Sequence, residues 1–126
     1  MGGKIRITVG TIEAAAELND TRTAQAIWET LPIKGRVNLW GDEIYFSTPL
    51  NLELELGQEL VSIGDLGYWP QGNAFCIFFG PTPISQGDEI RPASPVTVFG
   101  KIIGKPTIFK EAAAGMVITI RRENNG

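Results

Sequence analysis

Residues 74–79, Ala-Phe-Cys-Ile-Phe-Phe, are the most apolar run of the chain and lie between Gly72 and Gly80. A run of that length is short for a helix and suits a strand covered on both faces. Such a strand needs hydrogen-bonded neighbours on either side, so it commits the chain to a β architecture with this segment at its centre. The stretch leading into it, Gly64-Asp-Leu-Gly-Tyr-Trp-Pro-Gln-Gly72, reads as a loop of glycine and aromatic residues.

The remaining sequence supplies the neighbours. Ile5, Ile7 and Val9 alternate with Arg6 and Thr8, the pattern of a half-buried strand, and Gly10 turns the chain into a second strand over 11–18. Strands are expected over 36–40 and 44–48 around a tight hairpin at Gly41-Asp42-Glu43. Leu50, Leu52, Leu54 and Leu56 alternate with Asn51, Glu53 and Glu55, which predicts another strand. Segments 96–103 and 116–121 complete the set. Asp20 or Thr21 is a suitable N-cap for a helix over 21–31, where Ala24, Ile27, Trp28 and Leu31 form one apolar stripe that belongs in the core. Pro32 ends it. A second short helix is expected near 107–114, with Gly115 as its C-cap. Residues 123–126 read as a frayed tail. The expectation is one domain, 1–126, mainly β, with eight strands closed into an antiparallel barrel, because closure removes exposed sheet edges.

Several function classes are excluded by composition. The chain has no histidine, so Ser-His-Asp and Cys-His catalysis are unavailable. One cysteine makes neither a thiolate zinc site nor an internal disulfide, so no metal is expected and the default location is cytoplasmic. No cofactor is expected. Net charge is -3, with no basic cluster beyond Arg121-Arg122, which argues against nucleic acid. No apolar run reaches the ~20 residues of a membrane span, and the start lacks the apolar core of a signal peptide.

Gly72-Asn-Ala-Phe-Cys-Ile-Phe78 and Val98-Phe-Gly-Lys-Ile102 resemble two successive strands of cyclophilins. The segments 40–49, 64–70 and 90–95 are similar to those of small prokaryotic cyclophilin-like proteins of uncharacterised function. This resemblance implies an eight-stranded antiparallel cyclophilin-like barrel with two short capping helices. True cyclophilins are peptidyl-prolyl isomerases, which lower the ~18–20 kcal/mol barrier to amide rotation with an arginine and an apolar proline pocket. In alignment, Cys76 stands where cyclophilins place the pocket Phe, Ala74 where they place a Gln, and Val96 near their His. The resemblance leaves Arg36 as the candidate catalytic residue.

The residues themselves point to an aromatic and acidic group: Trp40, Glu43, Tyr45, Tyr68 and Trp69, joined by Phe78 as a groove-lining residue. Trp and Tyr offer flat apolar faces with a polar handle, and Asp42, Glu43 and Asp65 offer charge for a cation or a ligand amine. Adjacent Asp42 and Glu43 point to opposite faces of a strand and make no catalytic dyad. Cys76, within an apolar run, reads as structural. The chain is therefore expected to bind a small ligand or a proline-containing peptide in an aromatic groove, as monomer or homodimer. A weak isomerase using Arg36 is the first alternative. An interaction subunit of an assembly, its aromatics forming the interface, is the second.

Overall fold

In the computed structural model, which describes residues 2–123, the alternating pattern is realised from the first strand onward. Ile5, Ile7 and Val9 of β1 (Lys4–Val9) are fully buried, and a two-residue turn leads into β2 (Ile12–Leu18). Helix α1 (Arg22–Thr30) follows, capped by Thr21, whose hydroxyl accepts from the Ala24 N–H at 3.0 Å. Ala24 and Ile27 are buried against the sheet, and Trp28 is half-buried beneath the Arg122 guanidinium, 4.6 Å from its ring centre. The other strands are β3 (Ile33–Arg36), β4 (Asn38–Leu39), β5 (Glu43–Ser47), β6 (Asp65–Trp69), β7 (Ala74–Phe78), β8 (Thr97–Ile103) and β9 (Val117–Arg122).

All strand pairs are antiparallel, in the order β3-β9-β1-β2-β8-β6-β7-β5-β4. The two end strands, β3 and β4, are separated only by Val37, so the chain itself passes from one edge to the other and nearly closes the barrel. Phe46, Phe75 and Phe99 meet in the core. Phe46 stacks on Phe75 at 5.3 Å, and Phe75 meets Phe99 edge-on at 5.0 Å.

Nine strands stand where the sequence pattern predicts eight. The strand expected over 36–40 begins earlier and divides at Val37. Segment 65–69 is strand β6, where glycines and Pro70 suggest a loop. Segment 50–56, with its alternating leucines, is no strand: it has no backbone ladder beside it. Its N–H groups go to side chains instead, Leu52 to the Tyr68 hydroxyl at 3.0 Å and Glu55 to Thr97 Oγ1 at 2.8 Å. Leu54 and Leu56 stay exposed. The Glu55 carboxylate then accepts from the Arg22 and Thr23 N–H groups, each at 3.0 Å, and so acts as a second cap on α1. The second helix is a 3-10 helix, Pro106–Glu111, rather than an α-helix running to residue 114. Of the expected tail, Glu123 pairs with Arg6 at 3.1 Å, and residues 124–126 lie outside the described residues. Among the described residues no helix is long and apolar enough to cross a membrane.

Candidate functional site

Strand parity divides the wall formed by β5, β7 and β6 into two faces. Ile44, Phe46, Phe75, Ile77, Leu66 and Tyr68 point inward and join the main core. Ala74, Cys76 and Phe78 of β7 point outward, with Ile90 and Val96, into a second, smaller apolar cluster. This cluster is covered by the 80–96 segment, so β7 is buried on both faces, as its unbroken apolar sequence requires.

The covering segment holds itself in place. Ser85 Oγ accepts from the N–H groups of Thr82 (2.9 Å) and Arg91 (3.0 Å), and Thr82 Oγ1 donates to the Arg91 carbonyl. Arg91 pairs with Glu89 at 2.9 Å. Backbone bridges from Gln58 to Val96 and from Val61 to Ile90 tie it to the preceding loop.

Between that segment and the outer face of the wall lies a half-open cavity of about 230 Å³. Trp40, Glu43, Tyr45 and Trp69 line it from the barrel side, and Pro92, Ala93 and Val96 from the covering segment. Local structure explains why the first four meet. Gly41, at φ 61°, takes the left-handed backbone that the tight turn between β4 and β5 demands. The Trp40 N–H donates to the Glu43 carbonyl at 2.9 Å across that turn. Glu43 and Tyr45 are two residues apart on β5 and share its outer face. Trp69 reaches the same face from β6, where its indole N–H donates to Ser94 Oγ at 2.7 Å. Gly67, between them, leaves room for the covering layer: a Cβ there would come within 3.0 Å of Phe78 and Val96.

Glu43 is the unusual member. Only 6% of its surface is exposed. Burial raises its pKa from 4.5 to about 7, and the adjacent Cys76 thiol acts in the opposite direction by hydrogen bonding to the carboxylate. No lysine or arginine contributes to holding it ionised. Its neighbour Asp42 points elsewhere, to Lys110 at 3.8 Å. The Cys76 thiol is fully buried and pushed well above its ordinary pKa by burial and by Glu43, which removes its nucleophilic character.

The remaining sequence-derived residues lie apart. Tyr68 is fully buried on the inner face, where its hydroxyl accepts from Leu52 N–H and lies 3.2 Å from Asn73 Oδ1. Phe78 is fully buried in the layer behind the cavity and does not line it. Arg36 is exposed on β3, donates to the Gly115 carbonyl at 2.9 Å and lines no part of the cavity. Asp65 pairs with Lys101 at 3.4 Å. Pro92, Ala93 and Val96 were not apparent as wall residues from sequence, because only the tertiary fold brings their segment across β7. Among the described residues no group of three or more His, Cys, Asp or Glu comes together.

A family model described as cyclophilin-like matches residues 3–121. The solution structure of a hypothetical protein from Archaeoglobus fulgidus is 40% identical, with a TM-score of 0.82, the match covering 97% of this chain and 95% of that one. McbB, solved in complex with tryptophan, matches with a TM-score of 0.75 at 14% identity over 97% of this chain. This likeness concerns the fold alone, and the match spans 45% of McbB. No curated protein matches the sequence.

Proposed function

The chain belongs to the cyclophilin-like family, and from that premise we propose that it is a binding barrel for a small ligand, seated in the outer-face cavity walled by Trp40, Tyr45 and Trp69 over the Glu43 carboxyl. The observation that carries this reading is the meeting, in one cavity, of three aromatic side chains and a buried carboxyl with no protein counter-charge. Apolar walls with few convergent polar groups are the usual composition of a ligand site. The volume of about 230 Å³ falls below the ~300–1,000 Å³ of drug-sized sites. That favours a molecule with one ring and a short side chain over a peptide segment.

The isomerase alternative has less support. Its candidate Arg36 is on β3, away from the cavity; of the positions that match cyclophilin residues, Ala74 and Cys76 are fully covered, and Val96, near the cyclophilin His, lines the cavity only as an apolar side chain. The test is a panel of non-fluorescent one-ring compounds screened by intrinsic Trp fluorescence. A responding compound is expected to lose its effect in Trp69→Ala. An unchanged response in that variant sinks the assignment of the cavity. In a proline-peptide isomerisation assay, activity that falls in Arg36→Ala would reinstate the alternative.

A further inference from the structure

We infer that the ligand of the outer-face cavity is an organic monocation, an aromatic or alkyl amine whose ammonium pairs with the Glu43 carboxylate while its apolar body lies against Trp40, Tyr45 and Trp69. This inference rests on the cavity being the ligand site and adds the charge of what fills it. Three features of the cavity point the same way. Its only charged lining residue is Glu43, and no basic side chain lines it, so an anion would meet no partner there. Three of its lining residues, Trp40, Tyr45 and Trp69, are aromatic, and an aromatic ring face is the negative pole of a quadrupole that attracts cations. Glu43 as a residue is more than nine-tenths buried, and its carboxyl lacks a salt bridge, so its ionised form is partly desolvated and uncompensated until a cation arrives.

The groups around Glu43 leave that role open. From β7 comes the Cys76 thiol, neutral because its pKa is raised. From β5 comes the Tyr45 phenol. In the adjoining turn Asp42 is taken by Lys110, and in the covering segment Arg91 is taken by Glu89. Asp88 is exposed on that same segment and does not line the cavity. An ammonium in the cavity is thus the one cation in a position to neutralise Glu43. Since burial, partly offset by the Cys76 thiol, leaves the carboxyl pKa at about 7, binding of a cation at lower pH must expel a proton.

The experiment compares three probes that share one ring and differ in charge: 2-phenylethylamine, 2-phenylethanol and 3-phenylpropanoate. Each is titrated into wild type and Glu43→Gln by Trp fluorescence. In wild type at pH 8 the amine is expected to bind about tenfold or more tighter than the alcohol, and the propanoate weakest. In Glu43→Gln the amine is expected to lose its advantage and bind no tighter than the alcohol. The wild-type affinity for the amine is expected to drop about tenfold from pH 8 to pH 6, as a carboxyl with pKa about 7 takes up its proton. The alcohol is expected to show no such drop. The pH comparison uses wild type alone, so it decides the matter even if the variant folds poorly. Amine and alcohol binding equally, a pH-independent amine, or an amine preference that survives Glu43→Gln overturns the charge assignment and leaves the cavity standing. No response to any probe overturns the cavity and this inference together.

Discussion

Glu43 ties stability to pH in a direction opposite to most carboxylates. Its native pKa of about 7 lies above the 4.5 of an exposed glutamate, so the folded state holds the proton more tightly than the unfolded chain. Stability is therefore highest below the unfolded value and falls as pH rises through the folded one. With those two values, the cost to the native state is about 1 kcal/mol at pH 5.5 and about 3 kcal/mol at pH 8, where both states are ionised. Between these pH values the wild type is expected to lose about 2 kcal/mol through this group, several degrees in Tm for a chain of this size. Glu43→Gln keeps the shape and cannot ionise, so it lacks this component. Urea or thermal unfolding of both proteins at the two pH values measures it as a difference of differences, from which other titrating groups cancel. At pH 8 the variant is expected to be the more stable protein, with the gap narrowing at pH 5.5. An identical pH dependence in the two proteins would refute the reasoning, because it would mean that the carboxyl reaches water and titrates normally.

Other substitutions probe the surrounding structure. Gly67→Ala places a methyl within 3.0 Å of Phe78 and Val96 and is expected to cost about 1–3 kcal/mol in urea unfolding while disturbing the back of the cavity. Tyr68→Phe removes the acceptor for the Leu52 N–H and is expected to lose about 1–2 kcal/mol without changing probe binding, since Tyr68 faces the core. Glu55→Ala removes the second cap on α1, leaving Thr21 in place, and is expected to cost about 1 kcal/mol at neutral pH. Because hydrogen bonds from Arg22 and Thr23 lower the Glu55 pKa, that contribution is present above the ordinary carboxyl range and disappears on acidification. Cys76, fully buried, is expected to resist iodoacetamide in the native protein and to react after denaturation.

The strands with clear alternation, β1, β5 and β9, were legible in the sequence because one face of each meets the core and the other does not. The both-face burial of β7 was legible for the complementary reason. Where local pattern and tertiary partner disagree, the partner decides. The leucines at 50–56 alternate but have no neighbouring ladder, whereas β6 has glycines yet lies between β7 and β8 and is held by both. Part of the site was legible because Trp40, Glu43 and Tyr45 cluster around one turn. Separating Tyr68 from Trp69 required knowing that residues 65–69 form a strand, since only then do the two side chains take opposite faces. The wall formed by Pro92, Ala93 and Val96 carries no local signal, because its role comes from a segment folded across the outside of the barrel.

The most direct test of the central claim uses the three tryptophans, which give three indole N–H resonances. Trp40 and Trp69 line the cavity, and Trp28 sits on α1 beneath Arg122. On titration with 2-phenylethylamine, the Trp40 and Trp69 resonances are expected to shift together along one saturating curve while Trp28 stays in place. A Trp28 resonance that moves as far as the other two, or a saturating ligand that leaves Trp40 and Trp69 unmoved, would contradict the placement of the binding site on the outer face of the barrel.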